Sequence, residues 1–583
     1  MAASRTAPVV PHAEPLDLPL KSAVARMANG ISPASMGLAY FDWLLHIAVS
    51  PSKQAELASS ALRNWLLWSE YASHSWQGEC DKCIEPPPED KRFVRPEWQA
   101  PPFGALAQGF LLAQQWWQEA ATGVRGVERH HEEMAAFTVR QWLDMLSPSN
   151  VPWLNPQVLQ KTAASGGGNF AQGAVNWWRD ALAVAAGGKP RGVEEFKPGK
   201  GVALTPGKVV YRNALVELIM YEASTKKVAA EPVLVVPSWI LKYYILDLTP
   251  EDSLVKYLVD QGHTVFMVSW RNPGTADRDL GLDDYLQQGV LEPARAVQAI
   301  CPGVGIHAAG YCLGGTLLAM AAAVLGAHHD AAFKTVSILA GQVDFAEPGE
   351  LGLFMDESQV AFLEDLMAES GYLDGRRMAG AFQLINSKDL VWSKLLHEYL
   401  MGAQTPMTAM RAWNADATHM PARMHSEYLR RLYMDNELAR DTYRFGGGHV
   451  TLRAIHAPMF VVATERDHVS PWTSVYKILR LVHVPARFVL VSGGHNVGIV
   501  SPPSGPSAHP NAGYRWADND AHEAPPDPQQ WQAHALHVPG SWWKGWHSWL
   551  REHGTKLVPA RVVPDIEFDG AVVPAPGTNV FQE

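Results

Sequence analysis

One segment constrains this chain more than any other: Gly305-Ile306-His307-Ala308-Ala309-Gly310-Tyr311-Cys312-Leu313-Gly314-Gly315-Thr316. A short apolar run of strand character enters a G-x-C-x-G turn and leaves it as an Ala-rich helical run over 314–327. Glycines flank the cysteine because the turn is so sharp that a Cβ there would strike the neighbouring strand or helix. Such a turn holds the sulfur at the mouth of a sheet. It also sets it at the N-terminus of the following helix, whose dipole favours a thiolate. A buried cysteine in a glycine turn is the plain structural alternative; the strand before and the helix after favour a nucleophile.

The surroundings suit such a turn. From about residue 200, short β-branched runs at 232–236, 263–270, 305–309, 335–339, 459–463 and 487–491 alternate with helical stretches at 253–261, 314–327 and 472–481. Alternation of this kind indicates a mostly parallel sheet with helices on both faces. A mainly helical stretch over about 345–450 interrupts it and reads as a cap inserted into the α/β core. Residues 1–30 read as a flexible leader, 31–199 as a helical N-terminal domain, and 200–583 as the catalytic domain. Within the helical part, 36–49 is apolar on most faces; a buried helix is expected, with docking onto a lipid-like surface as the alternative. Ser165–Gly168 and Gly446–Gly448 are turns and not phosphate cradles, since no G-K-S/T follows either.

A nucleophile in this fold needs an acid and then a histidine, in that chain order. Asp467 follows the strand ending at Ala463, in Thr464-Glu465-Arg466-Asp467-His468. His495 follows the strand ending at Val491, in Ser492-Gly493-Gly494-His495-Asn496. Both lie just past the C-terminal edge of a strand, where α/β sheets gather their sites. Cys312, Asp467 and His495 are therefore the expected catalytic residues. His468 is the neighbouring decoy, with a structural or supporting role. Backbone N–H groups of Leu313 and of the 236–240 loop would form an oxyanion hole. Sulfur in place of oxygen points to thioester acyl transfer, although cysteine hydrolases exist: a thiol that attacks a thioester yields another thioester, and the acyl group stays activated.

Other classes fall away. The formal net charge is −11 and no dense Lys/Arg run occurs, so nucleic acid is not an expected partner. Four cysteines, Cys80, Cys83, Cys301 and Cys312, make no disulfide framework, and the single C-x-x-C lacks the second pair of a structural zinc site. No metal or prosthetic group is expected. Many of the 22 tryptophans are paired, as at Trp116–Trp117, Trp177–Trp178 and Trp542–Trp543, and are expected mainly in the core. Residues 1–20 carry prolines and acids without an apolar h-region, and no apolar run is long enough to span a bilayer, so a cytoplasmic protein is expected.

The chain resembles the polyhydroxyalkanoate synthases. The resemblance rests on Gly310-Tyr311-Cys312-Leu313-Gly314-Gly315, on Lys242-Tyr243-Tyr244-Ile245-Leu246-Asp247-Leu248, and on the 262–273 segment ending Ser269-Trp270-Arg271-Asn272-Pro273. Asn386-Ser387-Lys388-Asp389-Leu390-Val391-Trp392, Trp413-Asn414-Ala415-Asp416-Ala417-Thr418, Arg466-Asp467-His468 and Pro539-Gly540-Ser541-Trp542-Trp543 extend it, in order, over about 90–550. Length and helical N-terminal domain are similar to the single-subunit class I enzymes. The resemblance implies an α/β-hydrolase fold with a helical cap and helical N-terminal domain. It implies an acyltransferase that polymerises (R)-3-hydroxyacyl-CoA, expected to be short-chain, into polyester with release of CoA. Cys312 would carry the acyl group, His495 act as base, Asp467 orient it or help activate the hydroxyl, and Leu313 and Ile240 supply the oxyanion N–H groups. It further implies a homodimer joined through the cap region of Trp413, and location at the polyester granule with granule-associated proteins. The loop departs from the family pattern at Ser238 and Leu241, and Trp239 is bulky; Cys80 and Cys83 match no family role. A thioesterase or intracellular polyester depolymerase could use the same triad, and an inactive granule-surface scaffold is the non-enzymatic alternative.

Overall fold

The computed structural model describes residues 17–28, 30–76, 81–87, 90–378, 380, 387–521 and 523–583. They form two compact units, one of 1–31, 191–379 and 407–583, the other of Ser32–Pro190 and Gly380–Pro406.

The first unit is built on a ten-stranded sheet. In chain order its strands are β1 (Gly207–Arg212), β2 (Val216–Tyr221), β3 (Val233–Val236), β4 (Val265–Trp270) and β5 (Ile306–Tyr311). β6 (Phe333–Leu339), β7 (Met459–Thr464), β8 (Ala486–Val491), β9 (Gly513–Asn519) and β10 (Leu536–Pro539) follow. The spatial order is β1-β2-β4-β3-β5-β6-β7-β8-β9-β10. From β4 to β8 every pairing is parallel. β1, β2, β9 and β10 add antiparallel margins on the two sides. This is the mostly parallel α/β architecture expected, and its six parallel strands are the six read from the sequence. Each is an almost unbroken apolar run because helices cover both faces; β3, β4, β5 and β7 are buried along their whole length. The marginal strands escaped the sequence reading: Gly513-Tyr514-Arg515-Trp516-Ala517-Asp518-Asn519 is polar and takes strand form through β8.

The insertion between β6 and β7 is mainly helical, with helices Glu357–Ser370, Ala409–Asn414 and Ala422–Glu427. Two expected boundaries shift. Leu18–Met27, placed in a flexible leader, is an α-helix packed on Glu357–Ser370, where the Ser22 hydroxyl donates to the Asp365 carbonyl at 2.9 Å. Residues 380–406, placed in the cap, belong to the helical unit. There Asn169 Nδ2 donates to the Leu400 carbonyl and Asn176 Nδ2 to those of Glu398 and Ala403, so side-chain amides satisfy the carbonyls at the end of the helical segment Leu395–Leu400, remote in sequence.

In the helical unit, Arg92 is gripped by Asp90 and Asp144 at 2.5 and 2.7 Å and lies over the rings of Phe93 and Phe110. The helix Pro33–Ala48 corrects the expectation of burial: Phe41 is 61% and Leu45 64% exposed. Trp177 and Trp178 are exposed as well. Cys80 lies outside the described residues, and the Cys83 thiol donates to the Leu67 carbonyl. Among the described residues no helix is long and apolar enough to cross a membrane.

The last long helix, Trp542–Glu552, buries Trp542, Trp543, Trp546 and Trp549 along one side. The Trp546 indole donates to Ser337 Oγ of the central strand β6 at 2.9 Å. Trp546→Ala should therefore lower unfolding stability by about 3–5 kcal/mol, read as a shift in the urea midpoint of the transition of the first unit.

Candidate active site

The elbow forms as the glycines require. β5 ends at Tyr311 and the helix Leu313–Ala327 starts at once, with Cys312 between them at φ 54° and ψ −126°. A left-handed backbone at a residue with a side chain costs about 1–3 kcal/mol. It is held from both ends: the Cys312 N–H donates to the Leu339 carbonyl at 2.8 Å, and its carbonyl accepts from Gly315 N at 2.8 Å. A Cβ on Gly310 would lie 2.5 Å from the Gly314 carbonyl oxygen. One on Gly314 would lie 2.2 Å from that of Val236. Strand and helix backbones thus pass too close for any other residue.

Asp467 and His495 converge from the C-terminal ends of β7 and β8. His495 Nδ1–H donates to Asp467 Oδ2 at 2.7 Å. The same oxygen accepts from Thr464 Oγ1 at 3.0 Å. Asp467 Oδ1 accepts the backbone N–H groups of Val469 and Ser470 at 2.9 and 2.8 Å. The carboxylate is buried yet fully hydrogen-bonded, as a buried charge must be. Burial pushes its pKa up, but the His495 charge and hydrogen bond with the two N–H groups outweigh this, and it is held below the usual 3.8. His495 shows the converse. Burial opposes its charge, but Asp467 and Cys312, through their charges and hydrogen bonds, raise it well above 6.5. Cys312, His495 and Asp467 are therefore brought together in the order nucleophile, histidine, acid, while His468 is exposed. Among the described residues no cluster of His, Cys, Asp or Glu is placed to hold a metal ion.

The oxyanion candidates occupy the expected positions. Leu313 opens the helix, so its N–H has no partner within that helix. The Ile240 N–H meets Ser238 Oγ at 3.4 Å, a long contact that a developing oxyanion could replace.

Several supporting residues were not read from the sequence. Trp413 Nε1 donates to the Lys242 carbonyl at 2.7 Å, Thr418 N donates to the Ile240 carbonyl at 3.2 Å, and Tyr244 Oη donates to Asp416 Oδ2 at 2.9 Å. The Trp413–Thr418 stretch thus clamps the loop that presents Ile240. On the other side, Tyr311 Oη donates to Asn496 Oδ1 at 2.6 Å. Trp542 and Trp543 donate to the Gly498 and Ile499 carbonyls at 3.0 and 2.9 Å, fixing the short helix that starts with His495. These motifs were visible as strings, but their partners lie tens to hundreds of positions away.

The chain is similar to known proteins along most of its length. Residues 89–258 match the family model described as Poly-beta-hydroxybutyrate polymerase (PhaC) N-terminus, and 11–53 match Poly-beta-hydroxybutyrate polymerase N terminal. Residues 231–502 match the alpha/beta hydrolase fold. The poly(3-hydroxyalkanoate) polymerase of Methylorubrum extorquens is 38% identical over 519 residues, which span 88% of this chain and 84% of that protein. The poly(3-hydroxyalkanoate) polymerase subunit PhaC of Cupriavidus necator is 33% identical over 564 residues, 95% of this chain and 92% of that protein.

The coupled charges set a pH dependence. The stabilisation from Asp467 is present above its ordinary 3.8 and is lost as pH falls through its lowered folded value. That from His495 is full below 6.5 and is lost as pH rises through its raised folded value. Asp467→Asn should therefore destabilise the protein most between about pH 4 and 6.5, by about 3–5 kcal/mol. The deficit relative to wild type should shrink at more acid and more alkaline pH in urea unfolding.

Proposed function

The chain belongs to the poly(3-hydroxyalkanoate) polymerase family, and from that premise we propose that it polymerises (R)-3-hydroxyacyl-CoA through an acyl group carried on Cys312. The single observation that carries the reading is a thiol on the strained elbow, facing a histidine whose positive charge Asp467 sustains.

In the proposed cycle the Cys312 thiolate attacks the thioester carbonyl. Leu313 and Ile240 N–H groups receive the developing oxyanion. The C–S bond to CoA breaks, and the departing thiolate takes the proton of the His495 imidazolium. The acyl group now sits on Cys312 as a thioester. A hydroxyl of another unit or of the growing chain then gives its proton to His495 as its oxygen attacks. An ester bond forms, and Cys312 returns as thiolate beside an imidazolium. Asp467 holds the imidazole with Nδ1 protonated, so that Nε2 is the working nitrogen. This chemistry requires no metal or prosthetic group, because CoA arrives with the substrate.

The proposal includes a site of action at the polyester granule, together with granule-associated proteins, in the cytoplasm. Its support is the exposed apolar side of Pro33–Ala48, with Leu38, Phe41 and Leu45, which suits a water-insoluble polyester surface. A homodimer joined through the cap and a preference for short acyl chains are carried from the family likeness and belong to the same proposal. Hydrolysis to free acid on the same triad is the competing outcome of the test.

Purified protein should release CoA from (R)-3-hydroxybutyryl-CoA while forming insoluble polyester, and Cys312→Ala should lose both by at least about 10³-fold. CoA release with only free 3-hydroxy acid would identify a hydrolase. Polymer formation by Cys312→Ala would remove the acyl-enzyme.

A further inference from the structure

Near the elbow an aromatic chain lines the buried interior. Trp239, one residue before Ile240, packs edge-on to Tyr428 with centroids 5.9 Å apart. Tyr428 and Tyr433 follow at 5.3 Å, and Phe345 meets Tyr433 at 4.8 Å. Gln342 adjoins them. Its carbonyl accepts from Thr316 Oγ1 at 2.7 Å, one turn into the helix that begins after Cys312. Neighbouring Gly341 is packed so tightly on the elbow that a Cβ there would lie 2.7 Å from the Cys312 carbonyl oxygen.

The polar atoms of this wall are incompletely used. Tyr433 Oη accepts from Tyr428 Oη at 3.1 Å and is also hydrogen-bonded by the Gln342 side-chain amide, so the Tyr433 proton is turned away from both and remains to be given. Gln342 Oε1 is buried without a donor, and Trp239 Nε1 is buried without an acceptor. Gln342, Trp239 and Tyr433 are all more than nine-tenths buried. Buried polar groups left open in this way cost stability unless a ligand or water completes them. Both tyrosine hydroxyls lie within reach of the Cys312 charge, which adds to the effect of burial in keeping them protonated as donors. His425, 6.2 Å from Tyr428, is held neutral by burial, its pKa lowered to about 4, so it brings no charge.

One donor, the Tyr433 O–H, and one acceptor, Gln342 Oε1, together match an alcohol. A carbonyl would need donors alone, and an alkyl carbon would leave both unpaired. We infer that Tyr433 and Gln342 form a subsite for the 3-hydroxyl of the acyl group on Cys312, with Trp239 closing off the space beyond it. The inference rests on the Cys312 acyl-enzyme proposed above. The subsite makes Tyr433 and Gln342 positioning residues. They would orient the hydroxyl-bearing carbon relative to the thioester and select a 3-hydroxyacyl group over its 3-deoxy counterpart.

The test is single-turnover CoA release by full-length wild type, Tyr433→Phe and Gln342→Met, with (R)-3-hydroxybutyryl-CoA and butyryl-CoA compared. Wild type should prefer the hydroxylated substrate, and each variant should lose about tenfold of that preference in kcat/KM, the worth of one hydrogen bond to a buried partner. A merely structural role would lower both substrates equally; an equal loss on both substrates, which leaves the ratio unchanged, overturns the subsite. Because Tyr433→Phe leaves the Tyr428 hydroxyl without its acceptor, Gln342→Met provides the independent reading should the first variant not fold. If wild type gives no CoA burst on either substrate while Cys312→Ala still makes polymer, the acyl-enzyme fails and the subsite with it. A normal wild-type burst with an unchanged ratio in the variants removes the subsite alone.

Discussion

Cys312 holds its left-handed backbone only because the strand and the helix on either side of it can touch. Gly310 and Gly314 make that approach possible, and the Cys312 N–H bond to the Leu339 carbonyl ties the strained residue to the neighbouring strand. Everything else in the site is measured from this point. The sulfur stands at the start of a helix buried along nearly its whole length, which cannot move without disturbing the sheet. The strain of one residue is thus held by the packing of a whole layer.

A second constraint makes the fixed sulfur useful. An imidazole buried this deeply would ordinarily be neutral, and a carboxylate buried this deeply would ordinarily be protonated. Together they reverse both tendencies, because each supplies the other's counter-charge and the N–H groups of Val469 and Ser470 complete the carboxylate. The tryptophans of Trp542–Glu552 give the arrangement its rigidity. Their indole N–H groups occupy the carbonyls at the end of the His495 helix, so a residue on a short loop is fixed as firmly as one on a strand. Trp413 and Thr418 do the same for the Ile240 loop. The site is thus three loop tips fastened to one another by side chains from distant segments.

The parallel core was legible because its strands are buried on both faces and therefore apolar throughout. The triad was legible because chain order and strand ends restrict which acid and which histidine can reach the elbow. β9 and β10 were not legible, since Arg515 and Asp518 give their segment a loop's composition until β8 offers it hydrogen bonds. The helix Leu18–Met27 was missed for a related reason: its neighbours in sequence are polar and proline-rich, and the surface it packs on comes more than 300 residues later. The apolar helix Pro33–Ala48 was misjudged in the opposite direction. Composition reports how much apolar surface a helix has, and only the fold reports whether anything covers it.

By itself the sequence determined the elbow, the order nucleophile–acid–histidine and the strand-and-helix alternation, since each is a local matter of turn sterics or of periodicity along the chain. Only the tertiary structure decided which groups complete them. The His495 bond to Asp467, the indole donors behind His495, the clamp on Ile240 and the partly open polar pair of Tyr433 and Gln342 join residues far apart in the chain. Hydrogen bonds act over about 3 Å in space and leave no periodic trace along the sequence, so a reading of the chain finds the participants and the fold alone pairs them.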